Sequence, residues 1–284
     1  MLLDLHIHTI ATPGHASWTP ETLVEYAQAH GIGVLAVTDH NTTTQVAATQ
    51  RAGEAAGVHV IPGLELDSAT DARLWHVLLY GIDPAAPGIV ALCDAVVERN
   101  ARDAQAMAVA LRVQGHALPS FDALVAAADP AVPPTVAALG RTLVVDGVVA
   151  AQPGLDDESN GTGWIMTNLR SLYRPVPVQE AIAVAHAHGG LALLAHPGRS
   201  MGVYAVPATE ADIAEMVGWG LDGIEALYAH HTAAQQTFYS EIARSHGLLV
   251  SAGSDGHHPA QGLQPRAAHD CAALLARLGV ELTS

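Results

Sequence analysis

Short apolar runs alternate with longer amphipathic stretches along most of the chain. Short apolar runs bounded by turn residues predict buried strands, and apolar residues with a helical period predict helices. The predicted strands are residues 2–6, 34–38, 58–64, 74–82, 191–195, 223–227 and 248–252. The predicted helices are residues 20–30, 43–56, 177–188, 209–219 and 232–246. This order indicates βα units around a parallel sheet, and seven strands suggest a barrel.

The alternation fails between residues 87 and 174. A long helical run, residues 88–114, leads there into segments rich in Pro and Ala that lack strand patterning. The dipeptides Asp83-Pro84 and Arg174-Pro175 flank this region, and a residue before proline is pushed out of helical geometry. We therefore predict a barrel formed by residues 1–86 and 175–284, with a mostly helical insertion at residues 87–174 that acts as a lid.

Length and composition fit this architecture. A chain of 284 residues can bury a large core. Apolar runs stay well short of the roughly 18 residues that a membrane span needs. The N-terminus has neither the basic flank nor the long apolar run of a secretory signal. We therefore expect a cytoplasmic protein without a membrane partner. The two cysteines, Cys93 and Cys271, are too far apart in sequence to form a thiolate metal motif.

The charged residues exclude several function classes. The net charge is −16, which gives no cationic footprint for a nucleic-acid backbone, so we expect no long nucleic acid as a partner. The basic residues number 12 and all are arginine, which excludes chemistry that depends on a lysine Schiff base or a Walker lysine. Histidine is unusually frequent, with 17 residues. Histidine is a metal ligand and a general acid or base, so its placement is informative.

Metal-competent side chains occur where the apolar runs end. In a βα barrel the C-terminal ends of the strands meet on one face, so residues that are remote in sequence converge there. His76 instead lies inside its run, where a hydrogen-bonded core histidine is the alternative. The residues at the ends are His6, His8, Asp39, His40, Glu65, His196, Glu225, Asp255 and His257.

Two of these segments have the spacing of a chelating pair. In His6-Ile7-His8 the period of a strand places both imidazoles on one side. Asp255-Gly256-His257 repeats this spacing at the last strand. Glu65 is placed to bridge two ions, and Asp4 is expected to orient a ligand imidazole. Mixed His and carboxylate ligands suit zinc, manganese or iron rather than calcium.

These motifs resemble those of the PHP (polymerase and histidinol phosphatase) superfamily, and they occur in the family's order at both ends of the chain. Their order and the Gly223-Ile224-Glu225 segment are most similar to the branch of bacterial AMP and 3',5'-bisnucleotide phosphatases. The matching segments are Asp4-Leu5-His6-Ile7-His8-Thr9, Thr38-Asp39-His40, Gly63-Leu64-Glu65, Ala195-His196-Pro197-Gly198-Arg199 and Ser254-Asp255-Gly256-His257.

The resemblance implies a distorted (β/α)7 barrel that holds two or three divalent ions, Mn²⁺, Fe²⁺ or Zn²⁺, and hydrolyses phosphoesters. The first metal would be held by His6, His8, Glu65 and Asp255. The second would be held by Glu65, His76 and His196. The third would be held by His15, His40 and His257, where many relatives have an acidic residue in place of His15.

The resemblance also implies a mechanism, in which a metal-bridged hydroxide attacks a phosphoryl group whose charge the ions neutralise. Arg199, after the His-Pro-Gly turn, would bind the phosphate through its guanidinium fork. His231 would protonate the leaving group or bind a phosphate oxygen. Asp39, in the second motif, is a further catalytic candidate.

The insertion departs from the nucleotide phosphatases of this branch. Those enzymes carry a Ser-Arg-Thr-His segment there, whereas this chain reads Pro133-Pro134-Thr135-Val136. Arg141, Arg170 and Arg174 are candidates to replace the missing substrate-binding side chains.

The leading prediction is hydrolysis of a small phosphorylated metabolite, with AMP-like or 3',5'-bisphosphate nucleotides first and histidinol phosphate second. Two alternatives stay open. An amidohydrolase-like enzyme that cleaves C–N bonds also begins with a His-x-His strand, although such barrels usually recruit a lysine. A non-catalytic metal-binding module would be expected to have lost ligands, whereas every expected ligand position is filled here.

Overall fold

The computed structural model describes residues 1–11, 15–71, 73–129, 132–199 and 206–281. The strands are β1 (Leu2–Ile7), β2 (Ile32–Val37), β3 (His59–Ala69), β4 (Leu74–Tyr80), β5 (Val176–Pro177), β6 (Leu191–Leu194), β7 (Gly223–Ile224), β8 (Leu249–Val250) and β9 (Arg266–Ala267). The helices are α1 (Pro20–Ala29), α2 (Val46–Ala56), α3 (Pro87–Val113), α4 (Pro119–Ala127), α5 (Val136–Val145), α6 (Asp157–Asn168), α7 (Val178–Ala187), α8 (Glu210–Gly218), α9 (Ala233–His246) and α10 (Ala272–Arg277). Each predicted strand and helix is present, and the two-residue strands β5 and β9 were not predicted.

The described residues form two compact units. The first contains residues 1–93, 177–199 and 206–281, and the second contains residues 94–129 and 132–176. These limits lie within a few residues of the predicted insertion. That residues 87–174 are an inserted lid stays a prediction.

The sheet of the first unit curls back on itself. Its strand order is β8-β7-β6-β4-β3-β2-β1-β9. Beyond β8 the chain runs alongside β1, where the Leu5 N–H donates to the Ala252 carbonyl at 3.0 Å and the His8 N–H donates to the Gly256 carbonyl at 3.0 Å. These bonds join the two sides of the sheet. The predicted distorted barrel is therefore confirmed.

The expected all-parallel arrangement is wrong at β4, which pairs antiparallel with both β3 and β6. Only residues 70–73 separate β3 from β4, and a parallel crossover needs a dozen residues or more. The first residues of β4 therefore lie at the barrel end where the parallel strands finish, which we call the barrel mouth. This direction explains why His76, near the start of its strand, is close to residues that follow other strands.

The strands bury apolar side chains on both faces, as expected for a sheet covered by helices. Val34 and Ala36 of β2 pack in one cluster with residues from β1, β4, β6 and α10. The alternate residues Leu35 and Val37 pack in a second cluster with α1 and α2. Both faces of β2 are therefore buried.

Strand β1 changes face midway. Leu3 and Leu5 pack in the first of these clusters, whereas Ile7 packs in the second. The pairing register between β1 and β2 shifts between Asp4 and Ile7, which marks a bulge or irregularity in the strand. A shift of one residue exchanges the faces of a strand. It turns Ile7 toward the helices and leaves His6 and His8 at the barrel mouth.

Local capping signals set the ends of the helices. Thr19 and Thr232 form capping boxes at the starts of α1 and α9. The stop signal predicted at Gly31 has a φ of +70°, which glycine adopts at low cost. These features confirm the predicted limits of α1 within one residue.

The second unit is helical in its described residues, and α5 and α6 approach closely at two glycines. A β-carbon on Gly161 would lie 1.8 Å from the carbonyl oxygen of Gly140. Among the described residues, no helix has the length and apolar character needed to cross a membrane.

This close approach generates a stability prediction. Gly161→Ala is expected to lower the free energy of unfolding by about 1–3 kcal/mol, because the added methyl group forces α5 and α6 apart. Gly163→Ala is the matched control on the same helix, since its β-carbon would meet nothing within 4 Å. The control is expected to be neutral or stabilising by up to about 1 kcal/mol. Urea unfolding measures both, and equal effects would contradict the helix contact.

Candidate metal centre

The metal-competent side chains converge at the barrel mouth. In the described part of the chain, several sets of His, Asp and Glu side chains have ligand atoms that all lie within 4.8 Å of one another. The sets are His6 with His8, Glu65 and Asp255; Glu65 with His76 and His196; His8 with His40 and His257; and His40 with Asp67 and His76.

The first set surrounds one carboxylate oxygen of Glu65. Glu65 Oε2 lies 3.2 Å from His6 Nε2 and 3.2 Å from His8 Nε2. Asp255 Oδ1 lies 3.0 Å from His8 Nε2 and 3.6 Å from His6 Nε2. Two imidazoles and two carboxylates thus point at a common space, which fits the donor set of zinc, manganese or iron.

The second set surrounds the other oxygen of Glu65. Glu65 Oε1 lies 2.8 Å from His76 Nδ1 and 3.0 Å from His196 Nε2. The two ring nitrogens lie only 3.1 Å from each other. Because each oxygen of Glu65 faces a different set, this carboxylate is placed to bridge two ions.

The burial of these polar atoms provides a test of whether metal ions fit. Glu65 and His6 have no solvent exposure. Within the described chain, His6 Nε2, His8 Nδ1, His40 Nδ1 and Glu65 Oε2 are buried without a hydrogen-bond partner. Buried polar groups are nearly always paired, because leaving them unpaired costs free energy. Divalent cations would supply the missing partners, so the residues fit a metal cluster.

The cluster's electrostatics favour ionised carboxylates. Burial alone would raise the pKa of Glu65, but the surrounding His76, His6 and His40 hold it well below its usual value. The pKa of Asp255 is likewise lowered, since His6 and His8 outweigh burial. Burial lowers the pKa of His76, but Glu65 and Asp67 raise it to about 9. Without metal, protons on the histidines therefore balance the carboxylates.

The histidines predicted for a third metal also lie together. His257 Nε2 is 2.9 Å from His15 Nε2, and the rings of His15 and His40 have centroids 5.0 Å apart. His257 donates its Nδ1 proton to the Asp255 carbonyl at 2.7 Å, which leaves Nε2 with a free lone pair. Burial and the neighbouring His8 lower the pKa of His257 to about 4. A neutral His257 is thus available as a ligand. In the set whose ligand atoms all lie within 4.8 Å of one another, however, His8 joins His40 and His257 in place of the predicted His15.

Sequence reasoning missed Asp67. Its carboxylate lies 3.2 Å from His76 Nε2 and accepts a hydrogen bond from Asn41 Nδ2 at 3.0 Å. Asn41 in turn accepts from the Asp67 backbone N–H at 2.9 Å. The signal was its spacing of two residues from Glu65, which places both carboxylates on one side of β3.

Asp255 connects the cluster to Arg199. Its Oδ1 atom faces His6 and His8, whereas Oδ2 lies 3.6 Å from Arg199 Nη1. The Tyr228 hydroxyl donates to the same Oδ2 at 3.1 Å. Burial and Asp255 raise the pKa of Tyr228, so this phenol stays a donor. Sequence reasoning did not identify Tyr228. Arg199 is thus beside the cluster, as a phosphate-binding residue would need to be.

The predicted acid His231 uses both ring nitrogens in bonds to the backbone. Its Nδ1 proton is donated to the Ala226 carbonyl at 3.1 Å, and Nε2 accepts from the Gly198 N–H at 2.9 Å. Burial lowers the pKa of His231. A neutral imidazole with both nitrogens engaged favours a role in holding the His-Pro-Gly turn that carries Arg199.

Two aspartates near the cluster are similarly engaged. Asp39 accepts hydrogen bonds from the Thr9 N–H at 2.5 Å and the Thr9 hydroxyl at 2.7 Å, which ties the second motif to the first. A catalytic role for Asp39 stays a prediction. Asp4 accepts from the Ser254 N–H at 3.0 Å and from the His6 backbone N–H at 3.3 Å. It therefore holds the backbone beside two ligands rather than the ligand imidazole that was predicted.

The other arginines proposed for substrate binding belong to the second unit. Arg170 donates to the Tyr173 carbonyl at 2.9 Å, and the Arg174 backbone N–H donates to Asp103. Arg141 lies exposed on α5. A role for these three side chains in substrate binding stays a prediction.

Comparison with known proteins identifies the family. Residues 4–111 match the family model described as PHP domain. The chain is 31% identical over 270 residues to a phosphoribosyl 1,2-cyclic phosphate 1,2-diphosphodiesterase of Eggerthella lenta, covering 90% of this chain and 94% of that protein. It is 31% identical to a 5'-3' exoribonuclease of Salmonella typhimurium, covering 91% and 86% of the two chains. It is 28% identical to a 3',5'-nucleoside bisphosphate phosphatase of Chromobacterium violaceum, covering 92% and 88%.

The fold is also found among solved structures. A Chromobacterium violaceum protein described as an amidohydrolase, with bound sulfate and no metal, has a TM-score of 0.68 and 26% identity to this chain. The match covers 93% of this chain and 91% of that one.

The chain therefore belongs to the PHP family, and the resemblance inferred from the motifs is confirmed. The class of enzyme is a metal-dependent phosphoesterase. The exoribonuclease among its relatives means that the expected exclusion of long nucleic acid is not confirmed.

The electrostatics of the cluster predict that metal binding releases protons. His76 and His6 have raised pKa values without metal, whereas a ligand nitrogen must be deprotonated to bind a cation. Metal affinity is therefore expected to rise as the pH increases to about 9, because the histidines lose their protons over this range. Calorimetric titration with Mn²⁺ at neutral pH, in buffers of different ionisation enthalpy, measures the protons released. A binding enthalpy that does not depend on the buffer would contradict this expectation.

Proposed function

We propose that this protein hydrolyses a phosphoester bond in a small phosphorylated metabolite, with a nucleotide such as AMP or a 3',5'-bisphosphate nucleotide as the first candidate substrate. The observation that carries the proposal is the shared carboxylate of Glu65, whose oxygens face two separate ligand sets at distances of 2.8–3.2 Å. A carboxylate that binds one ion through each oxygen would hold two ions close together, as two-metal phosphoryl transfer requires.

For the first two ions we propose the ligand sets that the family resemblance implied. The first ion would be held by His6, His8, Glu65 and Asp255, and the second by Glu65, His76 and His196. A third would be held by His40 and His257, with His15 or His8 beside them. We propose Mn²⁺, Fe²⁺ or Zn²⁺ from the mixed nitrogen and oxygen donors. When bound, such ions activate water and neutralise charge on the phosphoryl oxygens.

The chain's own residues bind and position the substrate. Arg199 is one-third exposed beside Asp255, so its guanidinium can bind phosphate oxygens while it remains near the cluster. His231 would keep Arg199 in place, because it accepts from Gly198 in the same turn. Tyr228 would hold Asp255 through Oδ2 and leave Oδ1 for the first ion.

The choice of substrate follows from relatives as much as from the site. By name, the three relatives act on a cyclic phosphate, on RNA from its 5' end and on a nucleoside bisphosphate, all of which contain phosphoesters. A nucleotide contains the feature common to these names. The net charge of −16 disfavours extended binding of a polyanion, so we place the small substrate first.

Two alternatives remain for comparison. A C–N hydrolase is suggested by the amidohydrolase of similar fold, but this chain has no lysine to serve as a carboxylated ligand. Histidinol phosphate is the second phosphomonoester candidate from the family resemblance. The two alternatives can be told apart from the leading proposal by their products, since the first cleaves a C–N bond and the second releases phosphate from histidinol phosphate.

A substrate screen tests the proposal directly. The protein, stripped with chelator and reloaded with Mn²⁺, is expected to hydrolyse a phosphoester bond in at least one of AMP, a 3',5'-bisphosphate nucleotide, a sugar cyclic phosphate and histidinol phosphate. A 5'-phosphorylated RNA oligonucleotide and an amide panel test the alternatives. Absence of turnover on every phosphoester, with metal shown to be bound by elemental analysis, would refute the proposal.

His6→Ala and Asp255→Ala are expected to abolish turnover, and full activity in both would disprove the site.

Arg199 supplies a separate prediction about phosphate binding. Arg199→Ala is expected to lower kcat/KM by roughly 10–100-fold, as expected for loss of a charge-assisted hydrogen bond worth about 1.5–3 kcal/mol. Arg199→Lys is expected to recover only part of this loss, because an ammonium group lacks the guanidinium fork. Arg244→Ala on the exposed side of α9 is the control and should keep wild-type activity. Equal kcat/KM for the Arg199 variants and the control would remove Arg199 from the site.

A further inference from the structure

We propose that Glu225 is a positioning residue for two metal ligands. It sets the tautomer of His6, which belongs to the first set, and it fixes the backbone of His196, which belongs to the second. This inference rests on the metal centre of the proposed function. It concerns how this chain prepares its ligands and not which substrate is cleaved.

Glu225 faces the nitrogen of His6 that points away from the cluster. Both carboxylate oxygens lie 3.1 Å from His6 Nδ1, and both residues are fully buried. A carboxylate accepts, so His6 must donate its proton from Nδ1. In the neutral form of His6 that binds metal, the lone pair is then on Nε2, which faces Glu65 Oε2 at 3.2 Å and Asp255 Oδ1 at 3.6 Å. Glu225 thereby selects the tautomer that can bind a cation through Nε2.

The same carboxylate holds His196 through its backbone. The His196 N–H donates to Glu225 Oε2 at 2.8 Å. His196 has a φ of +27°, a region that residues with a β-carbon adopt only at a cost. The hydrogen bond to Glu225 offsets part of that cost. It keeps the imidazole directed at Glu65 Oε1 and His76 Nδ1.

The surrounding fold leaves space for Glu225 and fixes its position. A β-carbon on Gly253 would lie 2.2 Å from the β-carbon of His6 and 2.7 Å from Glu225 Oε1, so glycine allows the close approach. The Glu225 N–H donates to the Leu194 carbonyl at 2.9 Å, which extends the pairing between β6 and β7. Glu225 therefore lies between the ends of β1 and β6, where it reaches a ligand from each.

Strand β7 provides a matched control at its opposite end. Asp222, just before the strand, lies 2.7 Å from His186 Nε2 and accepts from the Ala192 backbone N–H at 2.9 Å. It repeats the contacts of Glu225 with one histidine ring and one backbone N–H. His186 belongs to none of the ligand sets in the described residues. Changes at Asp222 should therefore affect stability without affecting metal binding.

Glu225→Gln separates the two contacts of the carboxylate. The amide oxygen would accept from the fixed N–H of His196, which directs the amide NH₂ toward His6 Nδ1. His6 would then accept at Nδ1 and carry its proton on Nε2, which blocks ligation. We expect metal affinity at the first set to fall about 10–100-fold, the usual cost of losing such a partner. The second set should keep its affinity.

The measurement is the occupancy of each ligand set, from anomalous diffraction of crystals equilibrated at several buffered Mn²⁺ concentrations. In Asp222→Asn, each ligand set should fill at the same Mn²⁺ concentration as in the wild type. In Glu225→Gln, the first set should need a higher Mn²⁺ concentration than in the wild type, and the second set should not. Equal occupancy in Glu225→Gln and wild type would overturn the proposal. So would an equal loss at both sets, because that pattern indicates a general structural defect.

A second measurement needs no variant. In the Zn²⁺-loaded wild-type protein, ring ¹⁵N resonances are expected to show His6 protonated at Nδ1 and bound to metal through Nε2. A proton on Nε2 would overturn the assignment even if the variant failed to fold. A protein that binds metal as expected but cleaves no phosphoester would refute the proposed function and leave the role of Glu225 intact.

Discussion

The buried carboxylate of Glu65 is the constraint on which the barrel mouth depends. Its two oxygens face five histidine nitrogens at 2.8–3.2 Å without exposure to solvent. Such a concentration of lone pairs is unfavourable unless protons or cations neutralise it. The pKa shifts of several neighbouring side chains follow from this need. Glu65 and Asp255 have lowered pKa values, and His6 and His76 have raised ones.

Backbone conformation provides the geometry that this cluster requires. Among the described residues, the non-glycine positions with positive φ are Asn41, His196 and Asp255, and all lie at the barrel mouth. Strain of this kind persists where surrounding bonds hold it in place. Here the holding groups are carboxylates: the buried Glu225 bonds the His196 N–H, and the partly buried Asp67 bonds the Asn41 side chain. The ligands thus depend on a second layer of side chains.

The site also separates what the family shares from what distinguishes its members. By name, the relatives act on phosphoesters of different kinds: a phosphoribosyl cyclic phosphate, RNA and a nucleoside bisphosphate. A metal cluster that contacts only the phosphoryl group suits such different substrates, because it makes no contact with the rest of the molecule. Asp255 connects the metal cluster to Arg199. One of its oxygens faces the histidine ligands, and the other faces Arg199 and Tyr228.

The sequence by itself determined seven of the strands, most of the helices of the first unit and the residues at the strand ends, because periodicity and capping are local properties. It also identified nearly all the side chains that meet at the mouth. Only the tertiary structure decided that β4 runs antiparallel, that β1 shifts its face near Ile7, and that His231 is bonded at both nitrogens. Asp67 and Tyr228 were missed for the same reason. Strand direction and hydrogen-bond partners depend on contacts between distant segments, which no local pattern records.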